Sequence, residues 1–162
     1  MEPLPAALGL VDPEYGSPVL LKIPAIKVNA VIEQVGLKKD GSMDTPKLPK
    51  NTAWFMLGPK PGEIGSAVID GHVNWWNGAY SAFANLAKLK PGDRITVQDD
   101  KGVNIVFKVR EVKRLAAAAD ATNVFISTDG KSHLNLVTCI GVWNKKTRQY
   151  SHRLVVFADK AE

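Results

Sequence analysis

Cysteine is almost absent from this chain: Cys139 is the only one in 162 residues. No internal disulfide can form, so stability has to come from packing, and the lone thiol is either small core filler or a reactive group. Histidine is scarce as well. His72, His133 and His152 show none of the paired spacing that zinc ligands adopt, which argues against a zinc centre. No apolar run approaches the roughly 18 to 20 residues that span a bilayer, and residues 1–10 lack the basic stretch that opens a secretory leader. As given, the chain reads as soluble, and a truncated ectodomain whose membrane anchor lies outside this sequence stays open. Lysine and arginine number 21 against 16 acidic residues, a net charge of +5, but they are spread along the sequence rather than gathered in a block. Diffuse basicity of this kind suits a solvated surface near an anionic cell envelope and argues against nucleic acid as a partner.

What is present describes one folded unit. The hydrophobic share is 45% and the charged share 23%, enough for a sizeable core and too apolar for disorder. Five of the ten prolines fall in the first 24 residues and none follows Pro91, so residues 1–17 are expected to form an extended N-terminal arm and residues 18–162 a single catalytic domain. Two short β-branched runs, residues 19–26 and 28–35, predict strands, with Pro24 restricted to an edge or bulge. Residues 45–49 read as an irregular loop and residues 66–70 as a brief apolar strand. Tyr80, Phe83, Ala84, Leu86 and Ala87 form an amphipathic stripe that predicts a helix, stopped by Lys90-Pro-Gly-Asp93. Residues 94–98 and 103–112 alternate around Asp99-Asp-Lys-Gly102 as a hairpin does, and the alanine-rich residues 115–121 suggest a short helical turn in a long connection. Strands separated by turns predominate, so the pattern predicts a mainly antiparallel β-barrel with one or two short helices in its connections.

Three chemically complementary groups sit at expected strand ends. Cys139 ends Leu134-Asn-Leu-Val-Thr-Cys139, His72 follows Ala67-Val-Ile-Asp-Gly, and Arg153 opens the run to Ala158. A thiol becomes a nucleophile only as thiolate, which an imidazole or a cation favours, and a guanidinium is a permanent donor for a developing oxyanion. Strand alternation places Cys139 on one face with Val137 and Asn135, and Thr138 on the other with Leu134 and Leu136. The plain alternative for each group is structural: cysteine as filler, histidine as a turn cap, arginine as an edge charge.

The strings Ala67-Val-Ile-Asp-Gly-His72, Leu136-Val-Thr-Cys139 and His152-Arg-Leu-Val-Val156 resemble, in order and spacing, the three signature blocks of the sortases, cysteine transpeptidases of the Gram-positive cell surface. The resemblance spans about residues 19–159 and leaves the subfamily open, with class D-, E- or F-like forms as candidates. It implies a closed eight-stranded β-barrel with His72 and Cys139 facing one another across a groove and Arg153 beside them. It further implies that Cys139 attacks the threonine carbonyl of an LPxTG-like sorting signal to give a thioacyl enzyme. His72 would then serve as general acid and base, and Arg153 would stabilise the oxyanion or the substrate. Thr138, Val137 and Asn74 are the expected substrate-binding residues. The implied partners are surface proteins with a C-terminal sorting signal and an amine acceptor from a peptidoglycan precursor or a pilin, met by a monomer at the outer face of the cytoplasmic membrane. After His72 the chain reads Val73-Asn-Trp-Trp76 where many relatives carry arginine, so Trp75 and Trp76 are candidate shields of the site.

No cofactor is expected. Some sortases bind calcium, but here the candidate acids Asp120 and Asp129 are too sparse for the six to eight or so oxygen ligands calcium prefers, and metal independence is the expectation. Two other functions make different demands on the sequence. An L,D-transpeptidase would place histidine two residues before its cysteine, where this chain has Val137. A non-enzymatic, basic all-β module gripping glycan or nucleic acid through its four tryptophans would leave Cys139 inert.

Overall fold

Alternation of apolar and polar residues builds the first two strands, β1 (Pro18–Ile23) and β2 (Val28–Val35), whose buried members include Leu21, Ile23, Val28, Ala30 and Ile32. A single 3-10 turn over Pro24–Ile26 joins them, as the restricted Pro24 requires. The remaining elements are β3 (Thr52–Phe55), β4 (Gly65–Gly71), β5 (Arg94–Asp99), β6 (Asn104–Ala116), the one-turn helix α1 (Thr122–Phe125), β7 (Ser132–Asn144) and β8 (Gln149–Lys160). This computed structural model describes residues 15–161. Most of the expected N-terminal arm, residues 1–14, lies outside the described residues, while Tyr15 is buried against the barrel and the Gly16 N–H donates to Asp99 Oδ2 at 2.8 Å.

The eight strands close into a barrel in the order β1-β2-β3-β4-β7-β8-β6-β5. Closure leaves no unpaired edge, and six of the eight pairings are antiparallel. The two exceptions are β2 with β3 and β4 with β7, both parallel. Each parallel pair needs a long crossover, and these crossovers form the walls of the cleft described below. Strand β3 has no counterpart among the sequence expectations, because four residues, Thr-Ala-Trp-Phe, are too few to show a period.

Inside the barrel, Leu21, Ile69, Phe83, Ile95, Phe107, Leu134, Leu136 and Val156 are all fully buried, each contributing on the order of 1.5 to 3 kcal/mol by leaving water. A smaller cluster lies on the outer face, where Val68, Val124 and Val155 pack with Phe55, Phe125 and Val137. Successive residues of β4, β7 and β8 thus supply both clusters: Ile69 and Leu136 point in, Val68 and Val137 point out. Those strands are apolar on both faces because loops cover their outer side.

One expectation fails clearly. Residues 80–87 do not form a helix but a chain of turns ending in a single 3-10 turn, Leu86–Lys88. Their apolar stripe is real, since Ala82, Phe83 and Leu86 are buried. The backbone donors that would start a helix are taken elsewhere, Ala82 N–H by Pro49 O at 2.9 Å and Phe83 N–H by His72 O at 3.0 Å. Docking onto the barrel end outweighs local helix propensity. Likewise Leu115 and Ala116 end β6, and the short helix falls later, at α1.

Phe83 also explains a glycine. A Cβ placed on Gly71 would lie 2.7 Å from the fully buried Phe83 ring, so only glycine lets the end of β4 close over it. Gly71→Ala is expected to lower stability by about 1–3 kcal/mol through overpacking, read from urea unfolding. Combining it with Phe83→Leu should recover part of that loss; a G71A protein as stable as the parent would show that the contact is slack.

Candidate active site

Cys139 and Arg153 are register partners across the antiparallel β7–β8 pair, so both side chains stand on the same outward face. They lie within long strands rather than at the strand ends that their sequence context suggested, since β7 runs to Asn144 and β8 begins at Gln149. The parallel β4–β7 ladder sets Asp70 opposite Val137, which carries the next residues, Gly71 and His72, alongside Thr138 and Cys139. His72 leaves β4 directly at this point. All three groups line one cleft of about 1160 Å³, floored by Val137 and Val155 and walled by Phe55 and Phe125.

Thr138 faces the other way. It is buried, and its hydroxyl donates to Gly71 O at 2.7 Å, fastening the peptide unit that joins Gly71 to His72. The imidazole is held from two further sides. His72 Nε2 lies 2.7 Å from Pro46 O, and the edge of Trp75 meets the ring with centroids 5.0 Å apart. A carbonyl can only accept, so Nε2 carries the hydrogen there and the neutral ring presents Nδ1 as its basic nitrogen. Trp75 is therefore a support of His72, whereas Trp76 is 87% exposed. Asn74 Oδ1 accepts from the Tyr150 hydroxyl at 2.8 Å, and Tyr150 stacks edge-on against Trp143, which ties the segment after β4 to the β7–β8 hairpin at the cleft rim.

Electrostatics in the cleft are dominated by burial. Desolvation pushes the Cys139 thiol above its ordinary value, while the Arg153 guanidinium pulls it down, Asp70 pushes it further up and Lys38 pulls it down. Arg153 Nη1 is a buried donor with no hydrogen-bond partner among the described residues, and Arg153 lines the same cleft as Cys139. Asp70, which the sequence reading passed over, is 8% exposed and lines the same cleft. Burial holds its carboxyl well above the usual range, Lys38 opposes this, and Asp44 and Glu33 add to it. The signal for it was present in the sequence: an acid inside the apolar run Ala67-Val-Ile-Asp-Gly, two residues before His72.

The other two histidines stand elsewhere. His133 is clamped between Asp159 and Asp129, each at 2.7 Å, and His152 Nδ1 lies 2.7 Å from Ser151 Oγ; neither lines the cleft. Asp120 caps Thr122 through its hydroxyl and backbone N–H, and Asp129 also receives the Lys131 N–H. Among the described residues no three histidine, cysteine or acidic side chains converge as a metal site requires.

A closed barrel carrying thiol, imidazole and guanidinium on one outer face defines a cysteine-nucleophile class of scaffold, and comparison with known proteins narrows it. The Sortase domain family model matches residues 21–161. The chain belongs to the sortase family. Similar solved structures include sortase A from Corynebacterium diphtheriae (22% identity, TM-score 0.68, covering 92% of this chain and 62% of that one). Sortase C-1 from Actinomyces oris matches at 23% identity and TM-score 0.70, covering 90% of this chain and 76% of that one. A Clostridium perfringens sortase D5 transpeptidase matches at 24% identity and TM-score 0.67, covering 90% and 79%. At such identities the likeness is one of fold, and the chain spans less than two thirds of the diphtheria protein. A comparison with curated proteins by sequence returns no match.

Two measurements follow from the charges in the cleft. Because Arg153 favours the thiolate, Arg153→Gln should move the midpoint of the pH dependence of Cys139 alkylation upward and slow alkylation several-fold at pH 8; a downward move would mean the guanidinium does not act on the sulfur. Asp70 is the opposite case of linkage. With its folded pKa raised above the ordinary 3.8, the native state keeps its full stability below that value and loses some as pH rises toward the raised one. The gain in urea midpoint from Asp70→Asn should therefore be small at pH 3.5 and grow as pH rises. A gain that shrinks with pH would refute the assignment.

Proposed function

We propose that this chain is a cysteine transpeptidase that cleaves an LPxTG-like sorting signal between threonine and glycine and passes the acyl group to an amine of the cell wall or pilus. The observation that carries this reading is the pairing of Cys139 with Arg153 across β7 and β8, with His72 held at the exit of β4 in the same cleft. In the first half-reaction the Cys139 thiolate attacks the threonine carbonyl carbon, and the carbonyl oxygen takes up the negative charge. Arg153 Nη1, a buried donor, stabilises that oxyanion, and a fixed fork of N–H groups suits the task better than an ammonium. Collapse of the tetrahedral species breaks the carbon–nitrogen bond as protonated His72 gives its proton to the leaving glycine amine. In the second half-reaction neutral His72 takes a proton from the incoming amine, which attacks the thioester and restores the thiolate, giving ping-pong order. Thr138 and the Pro46 carbonyl act in this scheme by positioning His72, Val137 supplies the apolar floor, and Asn74 braces the rim.

Burial shapes the rate. A raised thiol pKa leaves only a small thiolate fraction at neutral pH, so turnover is slow, yet the same dry cleft protects the acyl enzyme from water until the amine arrives. The partners in this reading are surface proteins with a C-terminal sorting signal and a peptidoglycan-precursor or pilin amine, met outside the cytoplasmic membrane. No helix among the described residues is long and apolar enough to cross a membrane. Against a glycan- or nucleic-acid-binding module stands the placement of the tryptophans: Trp54 is buried in the core, with its indole N–H donating to Pro59 O, and Trp75 and Trp143 brace the same cleft.

Intact-protein mass spectrometry after mixing with sorting-signal peptides is the direct test. The parent chain should gain the mass of the peptide's acyl portion, Cys139→Ala should gain nothing, and Arg153→Gln should lose on the order of 10²- to 10³-fold in kcat for acylation. An adduct of equal size on C139A would refute the assignment.

A further inference from the structure

The catalytic scheme leaves one buried group of the cleft unused. Asp70 stands on the outward face of β4, lines the cleft with Cys139 and His72, and is 8% exposed. Its Oδ1 is buried with no hydrogen-bond partner among the described residues. A carboxyl oxygen left unpaired away from water is costly, and such a group persists where a ligand completes it. Thr138 and Arg153 both have an evident use; Asp70 has none within the protein.

Register fixes what it would meet. Asp70 pairs with Val137, two residues along β7 from Cys139 and on the same face. At about 3.3 Å per residue this puts it roughly 7 Å along the strand from the nucleophile, the span of two residues of an extended peptide. A signal that is acylated on Cys139 and runs along β7 toward Val137 brings the side chain of the residue before its threonine within reach of Asp70. Among the charges that act on this carboxyl, Lys38 favours its ionised form, and Asp44 and Glu33 oppose it. The adjacent lining, Phe55, Val137 and Val155, is apolar and offers no competing acceptor side chain.

We propose that Asp70 is a specificity-determining residue whose carboxyl accepts a hydrogen bond from an N–H-bearing side chain of the sorting signal, at the variable position directly before the acylated threonine. The inference rests on the transpeptidase reading above and adds the substrate class to it. Lysine, arginine, glutamine or asparagine at that position satisfies Oδ1. An unbranched apolar side chain leaves the oxygen orphaned, and an acidic one adds repulsion from Asp44 and Glu33.

The test uses the whole chain and LPxTG-like peptides that differ only at the x position, carrying lysine, glutamine, norleucine or glutamate, with kcat/KM for acylation of Cys139 as the readout. The parent protein should favour lysine and glutamine over norleucine by about tenfold, the worth of one hydrogen bond to an otherwise unpaired buried oxygen, and glutamate should react slowest. Asp70→Asn, which keeps an acceptor oxygen but cannot ionise beside a bound ammonium, should retain the preference for glutamine and lose that for lysine. Asp70→Leu should reverse the order in favour of norleucine. Cys139 alkylation and thermal melting of each variant report folding, and D70N carries the test where D70L does not fold. Equal rates for all four peptides in the parent, or an order unchanged in the variants, overturns the inference while leaving transpeptidation intact. Failure of every peptide to acylate the parent protein overturns the transpeptidase reading itself.

Discussion

Parallel pairing between β4 and β7 is the constraint from which the site is built. Segments more than 60 residues apart in sequence are locked side by side from Gly65 with Ser132 to Asp70 with Val137, and the next residue on each strand is joined by the Thr138 hydroxyl to Gly71 O. Because the ladder is part of a closed barrel, a shift of one residue would turn Cys139 into the core and Leu136 into the cleft. The buried Leu134, Leu136 and Ile69 oppose any such shift. Packing energy, rather than any contact among the reactive groups, thus holds thiol, imidazole and guanidinium on one face.

The same double-sided burial sets the electrical character of the cleft. Strands that are apolar inside and out place Cys139 and Asp70 where charge is poorly solvated, so both groups are driven toward their neutral forms. Arg153 and Lys38 are the counterweights. In the proposed reaction a nucleophile in such surroundings would be ionised seldom, while hydrogen bonds offered to an oxyanion would be strengthened. On that reading, slow chemistry and protection of a thioester from water would both follow from one desolvated surface.

Support for His72 comes from segments without regular structure. Pro46, in the β2–β3 crossover, accepts from its ring, Trp75 covers its side, and the turns around Phe83 take its backbone carbonyl. The irregularity of residues 80–87 is part of this arrangement, since a helix there would need the very N–H of Phe83 that binds His72 O. Gly71 completes it by leaving room for the Phe83 ring.

Much of this was legible from local pattern. β-Branched runs marked β1 and β2, alternation marked the β5–β6 hairpin and the face shared by Val137 and Cys139, and the residue strings around His72, Cys139 and Arg153 carried the family resemblance. Periodicity reports which side of a strand a residue occupies, and little else. It could not reveal β3, whose four residues show no period, nor that two pairings are parallel, nor that residues 80–87 give up a helix for tertiary hydrogen bonds. Nor could it show that Thr138 serves His72 or that Asp70 is buried in the cleft, because both depend on which strand lies alongside β7. The chain's own order of residues therefore determined the chemical groups and their faces, while only the closed barrel decided their neighbours: partners across a ladder are chosen by global packing between segments distant in sequence, and no local signal encodes that choice.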